Sequence, residues 1–218
     1  MTKADTVLRV VVVGAGPAGL AAAKVAARPG IAVTMLDDNP APGGQVWRSG
    51  PGHPPPSRSM AAQQALIRSG VTIYSGCRVV GIRAPGVLML DASDASNVPV
   101  TLAWDKLILA TGARERFLPF PGWTLPGVTG VGAAQALVKG GVPVHGKRVI
   151  VAGSGPLLLA SAATLRSAGA NVLMVVEQAP ARAMSHFAKR LIQLPGKLAK
   201  AAMLRAQLAG VPYHWNSH

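Results

Sequence analysis

One pattern, written twice, constrains this chain more than anything else in it. "VLRVVVVGAGPAGL", residues 7 to 20, runs from a β-branched stretch directly into Gly14, Gly16 and Gly19. An Ala-rich segment follows, stops at Pro29 and Gly30, and leads into "IAVTMLD", which ends on an acid. From residue 147, "KRVIVAGSGPLLLASAATLRSAGANVLMVVE" repeats strand, glycine turn, helix, glycine and strand, again ending on an acid. Strands this uniformly apolar are buried on both faces of a parallel sheet, and parallel neighbours need a crossover, usually a helix. The expected fold is therefore α/β, with two Rossmann-like dinucleotide-binding units.

Between the copies the pattern changes. Residues 49–58, "SGPGHPPPSR", read as an exposed loop, followed by a short helix, "AAQQALIRSG", and a third strand, "VTIYSG". "RVVGI", "GVLMLD", "VPVTLAW" and "KLILAT" are short, β-rich and separated by turn residues, which predicts an antiparallel meander returning into the main sheet. The proline-punctuated "FLPFPGWTLPGV" marks the link between units, giving an expected first domain at 1–122 and a second at 123–218. Residues 182–215 carry apolar positions at helical spacing with bases on other faces. They read as one or two amphipathic helices broken at Pro195 and Gly196: a solvated subdomain, a docking surface for an acidic subunit, or a membrane-surface element. A doubly wound unit should continue beyond "GVPYHWNSH", so the second unit is expected to be incomplete and the chain an N-terminal portion of a longer protein.

Composition narrows the chemistry. Cys77 is the single cysteine, so there is no CxxC pair, internal disulfide or cysteine cage, and a reducing, cytoplasmic compartment fits. Cys77 itself reads as a small core or turn residue. His53, His145, His186, His214 and His218 show no metal spacing, and no metal is expected. The 22 Lys+Arg against 8 Asp+Glu raise nucleic acid, anionic membrane or an acidic protein as partners. With 4% aromatic residues there are few stacking platforms, and no nucleic-acid motif is present, so nucleic acid is not expected. No signal peptide is read at the start, and the apolar window 149–176 is interrupted by Gly153, Gly155, Pro156, Arg166 and Gly169, unlike the ~20 apolar residues of a membrane span.

Gly14, Gly16 and Gly19 at a strand-to-helix junction permit a tight turn, close approach of a pyrophosphate, and close helix packing. Pro17 and Ala18 open the helix, whose free N–H groups and dipole favour phosphate. Asp37, 37 − 14 = 23 positions after the first glycine, or the adjacent Asp38 is the expected ribose partner, with strand register favouring Asp37. Gly43 and Gly44 follow soon after, either as an ordinary loop or as a place where backbone lies against a longer ligand such as FAD.

Together, "VVVGAGPAGLAAA", "LDDNPAPGGQVWR", "LILATGARERFLPFPGWTLPGV" and "VIVAGSGPLLLASAATLRSAGANV" resemble the FAD-dependent pyridine nucleotide-disulfide oxidoreductase superfamily. The similarity is closer to alpha subunits of opine oxidases, hydroxyproline or proline dehydrogenases, hydrogen cyanide synthase and sarcosine oxidase. The resemblance implies that Gly14, Gly16 and Gly19 hold FAD pyrophosphate, Asp37 or Asp38 its ribose, and Gly43, Gly44 and Gln45 lie along the diphosphate and flavin. It also implies that Val79 meets adenine through its backbone and that Thr111 and Gly112 pass close to FAD. The implied partners are a small amine or amino-acid substrate and a second flavoprotein subunit.

In the second copy, Gly153 and Gly155 begin the loop, and Leu158 stands at the third-glycine position, so closer helix packing is not expected. Glu177 is placed by spacing to bond a ribose 2′-OH and repel an NADP phosphate, which makes NAD the expected pyridine nucleotide; another adenine nucleotide or a purely structural role are the alternatives. Flavin carries its own electron chemistry, so no catalytic residue is assigned. The leading functional expectation is an FAD-dependent oxidoreductase subunit passing electrons to a partner. A stand-alone NAD(P)H-dependent flavin reductase and a non-catalytic nucleotide-binding module are the competing readings.

Overall fold

The computed structural model describes residues 7–51, 53–91 and 97–217; Gly52 of the expected loop and His218 of the histidine set lie outside them. Contacts divide the chain into two units, Met1–Arg114 and Glu115–His218. The division falls N-terminal to the 122/123 boundary expected from the prolines. Glu115 explains why: its carboxylate accepts hydrogen bonds from the backbone of Val131 and Gly132 in the second unit, at 2.7 and 2.8 Å.

The first unit is built on β1 (Leu8–Val13), α1 (Pro17–Ala26), β2 (Ile31–Asp37), α2 (Ser57–Arg68) and β3 (Thr72–Ser75). The expected meander follows as β4 (Arg78–Ala84), β5 (Val87–Asp91) and β6 (Thr101–Ala103), antiparallel in the order β4-β5-β6. The strand after it, β7 (Lys106–Leu109), returns to the main sheet, whose order is β3-β2-β1-β7 with every pairing parallel. Val12, Met35 and Ala23 are fully buried between sheet and helices, while Val11 and Leu36 pack on the other face with Cys77, Leu88 and Leu90. Each large side chain so buried contributes about 1.5–3 kcal/mol. Helix α2 begins at Ser57, inside the segment expected to be loop. Pro56 holds φ −56° and ψ 143° at its N-cap, so the proline run ends the loop and opens the helix.

The second unit contains α3 (Val131–Lys139), β8 (Arg148–Gly153), α4 (Leu157–Ser167), β9 (Asn171–Glu177), α5 (Ala181–Leu191), α6 (Pro195–Gln207) and β10 (Tyr213–His214). Its parallel sheet has the order β10-β9-β8. A register shift after Val149 gives β9 one residue more than β8 over their paired stretch, so that Glu177 lies opposite Gly153. The amphipathic segment forms two helices, and Pro195 starts α6 at a position where its missing N–H is harmless.

Candidate functional site

The C-terminal ends of β1, β2 and β7 meet at the first glycine loop. Gly14 has φ +103°, and its N–H donates to the Leu36 carbonyl at 2.7 Å. A Cβ on Gly14 would strike the Ala110 carbonyl, and one on Gly19 would strike the carbonyl oxygen of Gly14. The loop is therefore folded too tightly for side chains at either place. Pro17 occupies the first helical position, and Gly16 caps α1 without any side-chain hydrogen bond or first-turn acid. The first N–H groups of α1, including that of Ala18, have no intrahelical acceptor and lie at the positive end of the helix dipole.

Asp37 is 6% exposed and its carboxylate is committed to protein. One oxygen accepts the Ala15 N–H at 2.5 Å; the other accepts the backbone and side-chain N–H of Asn39 at 2.8 and 2.7 Å. Asp38 is exposed, and its Oδ1 accepts from Asn39 Nδ2 at 3.1 Å. Two adjacent acids thus divide the work: the buried one fastens the loop, and the exposed one stands at its rim.

Gly43 and Gly44 lie directly on that loop. The Gly43 N–H donates to the Ala15 carbonyl at 2.8 Å, and a Cβ on Gly44 would sit 3.0 Å from Gly16 Cα. Both have positive φ, +134° and +57°. Arg48 closes the turn beyond them, donating to Gln45 Oε1 at 3.1 Å and Asn39 Oδ1 at 2.9 Å. The start of β4 is stitched to the same place, with Gly76 and Cys77 N–H groups donating to the Asn39 and Asp37 carbonyls at 2.9 Å each. Val79 follows, half-buried and paired with Leu90. Past β7, the position a Gly14 Cβ would take lies 3.2 Å from Thr111 Cα, and Gly112 turns away with φ +74°.

Ala15, Asn39 and Arg48 are parts of this arrangement that sequence reasoning does not single out. Asn39 has a readable signal all the same: an Asn two residues after a strand-end acid can bond it locally. Cys77 is 2% exposed, and burial, helped by the Asp91 charge, pushes its thiol pKa up, as suits a core residue.

The second loop repeats the fastening. Glu177 is fully buried and accepts from Gly155 N–H at 3.0 Å, Ala179 N–H at 2.9 Å and the Tyr213 hydroxyl at 3.3 Å. Burial, then the charge of Glu177, pushes the Tyr213 phenol up to about 12. Leu158, 3% exposed, reaches within 3.3 Å of where a Gly153 Cβ would be, filling the space a third glycine would leave. The residue after the acid is neutral Gln178. At α3, by contrast, Glu115 already satisfies the helix N-terminus. Among the described residues no group of three His, Cys, Asp or Glu gathers as a metal site, and no helix is long and apolar enough to cross a membrane.

A family model for pyridine nucleotide-disulphide oxidoreductases matches residues 8–218. The chain belongs to this family. Among curated relatives, it is 34% identical over 222 residues to hydrogen cyanide synthase subunit HcnB of Pseudomonas aeruginosa, covering 95% of this chain and 47% of that protein. It is 36% identical over 182 residues to an opine oxidase subunit of Agrobacterium tumefaciens, covering 77% of this chain and 36% of that one. Among solved structures, a ferredoxin reductase from Rhodopseudomonas palustris superposes with TM-score 0.62 at 26% identity, over 96% of this chain and 50% of that one. This chain spans half or less of the length of each of these three relatives, and the family is one of FAD-dependent oxidoreductases.

Proposed function

We propose that the chain is the FAD-binding portion of a subunit of an oligomeric amine or amino-acid dehydrogenase or oxidase, of opine, hydroxyproline or sarcosine-like type. The observation that carries this reading is the stacked backbone cradle: Gly44 against Gly16, Gly14 against Ala110 and Thr111, with α1 opening uncapped toward the same end of the sheet. Side chains at these positions would fill the space that an extended dinucleotide needs. In this cradle Gly14, Gly16, Pro17, Ala18 and Gly19 would hold the pyrophosphate, Gly43, Gly44 and Gln45 would flank it, and Val79, Thr111 and Gly112 would border adenine and flavin. Asp38, not the committed Asp37, is the carboxylate that would take the ribose hydroxyls. Bound FAD supplies the two-electron chemistry; the chain's residues bind it, orient it and exclude water.

The second unit is proposed to hold NAD or another adenine nucleotide on Gly153 and Gly155. Glu177 would act there as the fastener of the loop, so discrimination between NAD and NADP would not come from its charge. The names of the two curated relatives, each a subunit, support a partner polypeptide.

Absorbance of the purified chain tests the proposal: the visible bands of bound flavin, present on isolation or restored with FAD, are the expected result. No flavin uptake would overturn it. Bleaching of bound flavin by NADH alone would instead favour a free-standing reductase.

A further inference from the structure

Among the described residues, the C-terminal helices α5 and α6 leave most of their surface exposed. Helix α5 buries no residue completely, and of its eleven residues only Met184 and Leu191 are half-buried. An isolated helix of this length is marginal in water, so a helix with so little anchoring needs a covering surface. Arg182, His186, Lys189 and Arg190 fall within one arc of α5, and Phe187, 41% exposed, borders them. Arg182, His186, Phe187 and Arg190 line a shallow groove along this helix. Ile192 and Leu194 between the helices, and Met203 on α6, are also exposed, at 66%, 48% and 51%.

Charge identifies what covers it. From Gln178 to the end of the chain there are six Lys or Arg, at 182, 189, 190, 197, 200 and 205, and no Asp or Glu. Self-association would bring these cations together, and the net charge of +14 makes that worse. Apolar residues ringed by one sign of charge fit a protein surface with the opposite sign at its rim.

We propose that the α5–α6 hairpin is the docking surface for an acidic protein partner, the second subunit that the proposed function requires, with partner carboxylates against Arg182 and Arg190 and apolar side chains over Phe187. This rests on the hetero-oligomeric reading but not on FAD binding, so the two fail separately.

The full chain is co-expressed with the companion subunit of its oxidase, and the affinity of the pair is measured by native mass spectrometry and biolayer interferometry at two salt concentrations. The double variant Arg182→Glu/Arg190→Glu should bind at least tenfold more weakly, and Phe187→Asp likewise, with flavin absorbance and melting unchanged. Arg28→Glu/Arg68→Glu, on the first unit, is the control for net charge. Recovery of affinity when the facing partner acids are changed to Lys against the reversed variant would support the proposal further. Equal loss in the control pair, or unchanged affinity in both hairpin variants, overturns it. So does a hairpin defect seen only with phosphatidylglycerol vesicles or duplex DNA while binding to the partner stays intact. Arg182→Gln/Arg190→Gln, which removes charge without reversing it, gives the same decision should the reversed variant fail to fold.

Discussion

The two glycine-loop units share their fastening and differ in what they leave open. In each, the acid ending the second strand is buried and holds the loop: Asp37 through Ala15 and Asn39, Glu177 through Gly155 and Ala179. The first unit then adds an exposed acid, Asp38, a required third glycine and a glycine pair lying on the loop. The second has Gln178 and a buried Leu158 in the corresponding places. A strand-end carboxylate in such a fold is therefore first a structural acceptor for loop N–H groups. What differs between the two loops is the residues around it.

Exchanging the third-glycine residues should break this comparison most severely. Gly19→Leu puts a side chain into the Gly14 carbonyl, so the first unit should neither fold nor retain flavin, read by thermal melting and absorbance. Leu158→Ala in the second unit removes a packed side chain and should cost about 2–5 kcal/mol, with the first unit's flavin retained.

The adjacent acids sharpen the comparison at smaller cost. Asp37→Asn loses an acceptor for buried N–H groups and should destabilise the chain by about 1–3 kcal/mol in urea melts. Asp38→Asn should leave stability within about 0.5 kcal/mol, as is usual for surface changes, while weakening FAD about tenfold by titration. Equal effects on stability from both would remove the proposed division of labour.

The parts of the fold that periodicity governs are legible in the sequence. The valine run, the Ala-rich helix and the turn-separated strands lead directly to β1-α1-β2, the meander and its repeat in the second unit. What stays hidden depends on side-chain direction. Asp37 and Asp38 differ by one position in sequence, yet Asp37 ends β2 in the buried interior while Asp38, just past the strand end, is exposed. Spacing makes Glu177 a ribose candidate, but only the packed structure shows it buried and accepting from Gly155, Ala179 and Tyr213. The start of α2 is masked because prolines signal both loops and helix openings, and α3 escapes sequence reading since its cap, Glu115, lies sixteen residues before Val131.

The smallest effects come from pH, and they set the units apart at opposite ends of the scale. In the first, Asp105 accepts from the Arg9 side chain at 3.0 and 2.7 Å and from its backbone at 2.8 Å, tying the turn before β7 to β1. These hydrogen bonds, the side-chain ones foremost, hold the Asp105 carboxyl down from 3.8 to about 2. A lowered carboxylate pKa stabilises the fold above the unfolded value, so this contribution is complete above about pH 4 and fades as pH falls toward 2. In the second, Tyr213 is held neutral by burial and by Glu177, its pKa raised from 10.0 to about 12. Its contribution is complete below pH 10 and fades as pH rises toward 12. Melting temperature followed across pH, with the transitions assigned by fluorescence and flavin release, should show Asp105→Asn flattening the acid limb alone and Tyr213→Phe the alkaline limb alone. An acid limb that survives Asp105→Asn would mean that β1 and β7 are held by their ladder and core, with the exposed Arg9 pair adding nothing measurable.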